Sequence, residues 1–228
     1  MLKTTPIVIF FSVLLLLPYA VVCQGQGQSM QLPDVKTKGN TSLEEALQKR
    51  RSVRSFTSEK ISLNVLAQLL WAGNGWKTDS VTSPTRTAPS AGGLYPIELF
   101  VCAGKVGDIG AGIYHYESSS HSLRLVRSGN FRAKLAKATL GQSFIADAPV
   151  SIIVTGVYER TVRKYGKRGE ERYVHMDAGH SAENIFLQAA ALDLGTVTVG
   201  AFNNRDVKKI LQSGNAAPLY IMPIGYPD

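Results

Sequence analysis

Apolar residues recur along the chain with the spacing of helices in some stretches and of strands in others. Leucines at helical spacing over residues 63–70 follow Ser62, a favourable N-cap, and predict a helix there. A capping-box pattern at Ser42 and Glu45 predicts a shorter helix before it. The longest predicted helix covers residues 174–194. It is apolar on more than one face, so we expect it to be buried in a core or against a partner.

Short apolar runs rich in β-branched and aromatic residues predict the strands of a sheet. The predicted strands are residues 97–103, 112–116, 123–127, 150–157, 196–199 and 219–224. Further helices are predicted at residues 131–140 and 204–211, whereas residues 163–172 are predicted to form a basic loop. Helices and strands follow one another without a regular βαβ alternation, so the pattern predicts the α+β fold class.

The first 40 residues have a different pattern, which predicts a targeting segment and a linker. Lys3 precedes a short apolar run, as in a secretory signal. We therefore expect residues 1–23 to be a signal peptide or an N-terminal anchor, residues 24–40 to be a linker and residues 41–228 to be the folded domain. The protein would then be exported to the periplasm or the extracellular space, or held at a membrane. Cys23 leaves lipidation open as an alternative fate.

The composition of the 228 residues is that of a globular protein, with 44% hydrophobic and 18% charged residues. The net charge of +8 favours anionic partners such as phosphates, nucleic acid or a lipid surface, without choosing among them. Aromatic residues are not interleaved with the basic ones as in binders of single-stranded nucleic acid, so we expect no nucleic-acid partner. Two cysteines, Cys23 and Cys102, give neither a disulfide framework nor a metal site.

Two segments have the composition of ligand-binding loops. Arg50, Arg51, Ser52 and Arg54 form a basic turn after the first helix, where guanidinium groups and a hydroxyl can hold a phosphate. The same turn is also compatible with a solvated basic surface. Residues 89–94 contain adjacent glycines, which let the backbone approach a ligand closely. Taken alone, they are equally typical of a turn before a strand.

Together these two segments resemble the nitroreductase family. Arg-Arg-Ser-x-Arg near the start and Pro-Ser-Ala-Gly-Gly-Leu-Tyr-Pro before a strand are similar to that fold. Three further motifs, beginning at Asp177, Leu194 and Pro218, fit its SagB-like branch. The resemblance covers residues 44–228. It implies a central, mainly antiparallel sheet flanked by helices, FMN as the cofactor, and a homodimer with FMN at the subunit interface.

The resemblance also implies which residues contact FMN. Arg50, Ser52 and Arg54, with Arg51 as a neighbour, would hold the phosphate, the ribityl chain or the pyrimidine edge. The isoalloxazine would be lined by Pro89, Ser90, Ala91, Gly92, Gly93 and Leu94. The residues beside flavin N5, where hydride enters and leaves, would be Val199, Gly200 and Ala201, the last two through their backbone.

Two features of the sequence bear on the chemistry, one that resembles the family pattern and one that departs from it. Lys164 and Tyr165 resemble the adjacent Lys-Tyr pair of the family's thiazoline and oxazoline oxidases, which implies a catalytic pair that accepts a proton. The alternative is a charged loop with a packed tyrosine. Many family members also clamp the phosphate with a basic residue after the last strand, and this chain has none there. Arg205, Lys208 or Lys209 would have to substitute for it.

The sequence thus predicts an FMN-dependent oxidoreductase that transfers hydride through flavin N5. Its substrate would be a small molecule or a peptide-borne group, with NAD(P)H as one candidate electron donor. The alternative is a non-catalytic, exported flavin-binding or partner-binding protein that keeps the fold. A metal site is not expected, because His175 and His180 are five residues apart on the longest helix and do not share a face.

Overall fold

The computed structural model describes Met1, residues 29–77 and residues 85–228. The strands are β1 (Ser29–Gln31), β2 (Trp76–Lys77), β3 (Thr85–Arg86), β4 (Ile97–Ala103), β5 (Gly112–Glu117), β6 (Ser122–Ser128), β7 (Val150–Gly156), β8 (Gly195–Thr196) and β9 (Ala217–Gly225). The α-helices are α1 (Leu43–Lys49), α2 (Leu63–Asn74), α3 (Arg132–Ala138), α4 (Phe144–Asp147), α5 (Tyr158–Tyr165), α6 (Val174–Ala191) and α7 (Asn204–Leu211). A 3₁₀ turn covers Ala91–Gly93, and a π-helical turn covers Gly169–Tyr173.

Seven strands form one sheet in the order β1-β6-β5-β4-β7-β9-β8, and every neighbouring pair is antiparallel. β2 and β3 pair separately as a short ribbon. The predicted α+β class with a mainly antiparallel central sheet is confirmed. The prediction succeeds because the six predicted strands carry alternating or continuous apolar positions that only a sheet can bury.

Helices cover both faces of the sheet, so its central strands are buried twice. Leu99 and Val101 of β4 point into the core that also contains residues of α2 and α6. Phe100 and Cys102, the alternate residues of the same strand, point into the opposite core, which contains residues of α3 and α7. All residues of β7 are buried, as expected of an unbroken β-branched strand with cover on both faces.

The predicted helix starts are confirmed for α1 and α2. At α1, the Ser42 side chain accepts a hydrogen bond from the Glu45 backbone, and the Glu45 carboxylate accepts one from the Ser42 backbone. Ser62 Oγ caps α2 by accepting from Val65 N at 3.3 Å. The predicted range of α7 is also confirmed, and Asn203 caps it because Asn203 Oδ1 accepts from Asp206 N.

The predicted basic loop over residues 163–172 is wrong. Residues up to Tyr165 belong to α5, and Gly169–Tyr173 form the π-helical turn that leads into α6. The charged side chains lie on the exposed side of this segment, while Thr161 and Gly169 are buried against each other. High charge therefore marks one face of an amphipathic segment here and not a loop.

The predicted linker over residues 24–40 and the predicted strand over residues 196–199 need correction. Ser29–Gln31 pair with β6, and Leu32 is buried because it packs into the core on the α2 and α6 side. A strand covers only Gly195–Thr196, and Val199 makes a single bridge to Ile221. The predicted signal peptide and Cys23 lie outside the described residues. Within the described part of the chain, no helix is both long and apolar enough to cross a membrane.

Candidate active site

The basic turn is held against Thr196 of β8, next to the last turns of α6. Val53 N donates to Thr196 O at 2.9 Å, and Ser52 forms a parallel bridge with Thr196. The turn borders a pocket of about 210 Å³ that Arg50 and Arg51 line. The Arg50 guanidinium lies over the Phe186 ring, 5.3 Å from its centroid. The Arg50 guanidinium therefore lies beside the apolar ring of Phe186 at the edge of this pocket.

The pocket beside the basic turn fits a phosphate-bearing ligand. Lys49 lines it together with Arg50 and Arg51, while Asp193 supplies one opposing carboxylate 3.8 Å from Lys49 Nζ. Thr196 Oγ1 is buried there and has no hydrogen-bond partner among the described residues. A buried hydroxyl without a partner is costly unless a ligand or water satisfies it. Arg54 is exposed and does not line this pocket.

The loop over residues 89–94 is fixed by a buried carboxylate near the start of α6. Ser90 Oγ donates to Asp177 Oδ2 at 2.6 Å, and Ala91 N donates to Asp177 Oδ1 at 3.3 Å. Ser90 Oγ also accepts from Tyr95 N at 2.9 Å, which closes the loop. Asp177 is only 3% exposed, and burial raises the pKa of its carboxyl although the Ser90 hydrogen bond lowers it.

Lys164 and Tyr165 lie against this loop. A side chain at Gly92 would place its Cβ 2.5 Å from the Tyr165 hydroxyl and 3.0 Å from Lys164 Nζ, and Gly92 has a φ of 63°. Glycine is therefore required both by the backbone and by the approach of the pair. Tyr165 packs edge-on against Tyr173, with ring centroids 4.8 Å apart. Gly93 has open space around its Cα, where a ligand could approach.

The basic turn and the loop lie at opposite ends of α6. The basic turn contacts the helix around Phe186 and Ala190, whereas the loop bonds to Asp177. At about 1.5 Å of rise per residue, these contacts are on the order of 15–20 Å apart along the helix axis. One protomer thus brings together the members of each segment but does not bring the two segments together.

The third segment predicted to contact FMN, residues 199–201, follows β8 and leads away from the basic turn. Val199 is buried, and Gly200 and Ala201 are exposed with their backbone at the surface. Gln142 Nε2 donates to Ala201 O at 3.3 Å, and a Cβ at Gly200 would meet nothing within 4 Å. This exposed backbone is therefore accessible to a planar ligand.

Sequence reasoning missed two residues of this region, Lys49 and Asp177. Lys49 adjoins Arg50 and lines the pocket. The sequence had suggested Arg205, Lys208 or Lys209 as the additional basic residue at the phosphate. Those three lie on α7, which packs against α3 and β9, and they do not line the pocket. The only sequence signal for Lys49 is its position next to the arginines. His175, once considered as a metal ligand, bonds to the Tyr158 hydroxyl at 2.9 Å.

Comparison with known proteins connects this geometry to a family. The model of the nitroreductase family matches residues 47–226. Protein MJ1384 of Methanocaldococcus jannaschii, described as a nitroreductase, is 42% identical over 201 residues, which cover 88% of this chain and 98% of that protein. The microcin B17-processing protein McbC of Escherichia coli is 27% identical over 173 residues, 73% of this chain and 62% of McbC.

A solved structure gives the same result for the fold. The crystal structure of a protein from Ralstonia eutropha, described as a nitroreductase, superposes with a TM-score of 0.76 at 28% identity. The match covers 89% of this chain and 91% of that one. The similarity therefore extends over most of the fold.

Proposed function

Because this chain belongs to the nitroreductase family, we propose that it is an FMN-dependent oxidoreductase of the SagB type. The family supports an oxidoreductase, and similarity to McbC supports the narrower type. The observation that carries the proposal is the division of the candidate flavin contacts between the two ends of α6. A ligand with a phosphate at one end and a flat ring at the other would draw the first set from one subunit and the second set from its partner.

The chain's own residues fit FMN in composition. Lys49, Arg50 and Arg51 would hold the phosphate, with the Thr196 hydroxyl as a further partner. The loop over residues 89–94 would lie along the ring, and Asp177 holds that loop in place. FMN, when bound, supplies a carrier that takes up or releases hydride at N5.

We further propose a homodimer in which each FMN site contains the basic turn of one subunit and the loop of the other. Within a protomer the two segments are separated by much of the length of α6, which no rearrangement of loops would remove. Two-fold symmetry brings two different patches together twice, so both sites would be equivalent. The division of the candidate contacts between the two ends of α6 supports the proposed homodimer.

Lys164 and Tyr165 would then be the acid–base pair. When a substrate carbon loses hydride, a proton must leave a neighbouring atom, and Lys164 Nζ, which lies near Gly92, would accept it. The Tyr165 hydroxyl, which lies against the same glycine, would orient that proton or pass it on. The substrate would be a small molecule or a peptide-borne group. Where the flavin instead passes electrons to the substrate, NAD(P)H is the candidate donor that reduces the flavin.

The test is an FMN titration of the purified protein, followed by anaerobic addition of NADH or NADPH and by sedimentation velocity. We expect saturable FMN binding, a dimer, and bleaching of the flavin absorption by a reduced nicotinamide or by a reduced heterocyclic peptide. Binding without any reduction would favour the non-catalytic alternative. A protein that binds no FMN would contradict the proposal.

Export through residues 1–23 is a separate proposal, supported by the apolar run after Lys3. The mature N-terminus isolated from the native host should lie near Cys23. An intact Met1 on protein from the soluble cytoplasm would contradict it.

A further inference from the structure

A second polar pocket, separate from the proposed phosphate site, lies behind the loop over residues 89–94. Its volume is about 230 Å³, and Arg86, Glu98, His115 and Arg160 line it. Arg86 belongs to β3, Glu98 to β4, His115 to β5 and Arg160 to α5. Polar and charged groups from four elements therefore converge on a small cavity.

Glu98 is fully engaged within this pocket. Its carboxylate accepts from Arg160 on one oxygen and bonds to His115 Nε2 at 3.2 Å on the other. The His115 hydrogen bond and the Arg160 charge lower the pKa of Glu98 to about 2, although burial opposes them. Glu98 is therefore ionised and already has its partners.

His115 bridges Arg124 and Glu98. Arg124 donates to His115 Nδ1 at 3.1 Å, and an arginine can only donate. The proton on the imidazole therefore lies on Nε2, which donates to Glu98. Arg124 itself is paired with Glu117 at 2.8 Å.

Among the residues that the structure describes, Arg86 makes no ion pair. Its NH1 donates to Ile97 O at 3.3 Å, while its buried Nε has no partner among the residues that the structure describes. Burial lowers the pKa of Arg86, and the neighbouring Arg160 lowers it further. Arg86 and Arg160 thus face one carboxylate, that of Glu98. Glu117 also lines the pocket but is paired with Arg124, so three arginines and two glutamates of the described residues leave one surplus positive charge in this cluster. A buried cation in this condition is stabilised by an anionic partner.

The pocket adjoins the proposed reaction centre. The Arg86 guanidinium lies over the Tyr95 ring, 5.2 Å from its centroid, and Arg160 NH1 donates to Tyr95 O at 2.9 Å. Arg160 and Lys164 are four residues apart on α5, so they share a helix face about 6 Å apart along the axis. A group held at Arg86 and Arg160 would leave the rest of a small ligand within reach of Lys164.

We propose that this pocket is a carboxylate-binding subsite that selects substrates carrying a carboxylate close to the bond that is oxidised or reduced. The inference rests on the proposed function for its role in catalysis, while the binding site itself rests on the charges and contacts of the pocket. The planar forks of Arg86 and Arg160 match a carboxylate, which can accept from both. Substrates would include small acids and peptides with a free C-terminus.

The test uses N-acetylglycine, which has a carboxylate, and N-acetylglycinamide, its neutral counterpart. Both are titrated calorimetrically into the full protein after saturation with FMN. We expect the acid to bind roughly tenfold or more tightly than the amide, the difference expected for a charge-assisted hydrogen bond. Equal binding of the two compounds would overturn the subsite, and this comparison needs no variant.

Arg86→Gln should abolish the preference for the acid, because glutamine keeps a donor for Ile97 O but removes the charge. Arg127→Gln is the matched control. Arg127 also donates to backbone carbonyls, at Lys209 and Ile210, and also lies over an aromatic ring, that of Phe131. Its substitution should leave the preference unchanged. Loss of the preference in both variants, or in neither, would contradict the assignment to this pocket.

If circular dichroism shows that Arg86→Gln does not fold, Arg160→Gln takes its place. This variant should also reduce the preference for the acid over the amide. FMN titrations on the same samples separate the two proposals. FMN binding with no preference for the acid overturns the subsite and leaves the oxidoreductase. A preference for the acid in a protein that binds no FMN keeps the carboxylate site and overturns the oxidoreductase.

Discussion

The two ends of α6 present surfaces of opposite construction. Near its C-terminal end, the basic turn offers cationic side chains around an open pocket, with a buried hydroxyl at Thr196 that has no partner among the described residues. Near its N-terminal end, Asp177 accepts hydrogen bonds from Ser90 and Ala91 of the loop, and Ser90 Oγ accepts one from Tyr95 N. The first surface can adapt to a charged ligand, whereas the second is a preformed backbone shape.

This difference indicates what each end of α6 would contribute to the proposed shared site. Cationic side chains provide affinity for an anion through charge, and they tolerate small displacements. A backbone loop fixed by a buried carboxylate provides position, and it loses its function if one contact fails. Substitutions at the first end should therefore change FMN affinity, and substitutions at the second should change stability and geometry.

The largest effect is expected from Lys164→Ala. Removal of a general base typically lowers turnover about 10²–10⁴-fold, and FMN binding should be unchanged because Lys164 is exposed and makes no structural hydrogen bond in the described part of the chain. The measurement is single-turnover flavin reduction by a heterocyclic peptide or small acid. Lys167→Ala, at an exposed position of the same segment, is the control.

A nitroaromatic or quinone acceptor sharpens this result. Such an acceptor takes electrons with little help from protein groups, so its turnover should be nearly equal in wild type and Lys164→Ala. Equal rates with both types of substrate would assign Lys164 and Tyr165 to packing alone.

Arg50→Ala should weaken FMN binding by about 1.5–3 kcal/mol, or roughly 10–150-fold in Kd, because a charge-assisted phosphate contact is lost. Lys208→Ala on α7 is the matched control and should bind FMN as the wild type does. Isothermal titration measures both. A weaker Kd in Lys208→Ala with an unchanged Kd in Arg50→Ala would place the phosphate at α7 and contradict the assignment.

Asp177→Asn should have the smallest effect, a loss of about 1–3 kcal/mol in the free energy of unfolding from a disturbed hydrogen-bond set. Its pH dependence is more specific. Burial raises the pKa of Asp177, so the folded protein binds more protons than the unfolded chain between the ordinary and the raised value. The contribution of this group to stability should therefore fall as pH rises through that window. Urea unfolding at several pH values should show that slope in the wild type and a weaker one in Asp177→Asn.

The fold was largely predictable because its strands and capped helices carry local signals, such as Ser42 with Glu45 and the unbroken run of β7. The basic composition of residues 50–54 indicated a cationic surface, and Arg50 and Arg51 do line a pocket, whereas their contact with a phosphate stays a prediction. Asp177 was not, because its role depends on a partner 87 residues earlier in the chain. The charged pocket around Glu98 was missed for the same reason: its members come from four separate elements.

The central claim is that the basic turn of one subunit and the loop of the other form one FMN site. It is tested most directly with heterodimers of an Arg50→Ala subunit and a Gly92→Val subunit, isolated through two different tags. Valine at Gly92 would collide with Tyr165 and Lys164, so each homodimer should bind FMN weakly. A shared site predicts that the heterodimer regains half of the wild-type FMN stoichiometry at the wild-type Kd, because one of its sites combines the two intact halves. Weak binding at every site of the heterodimer would contradict the account.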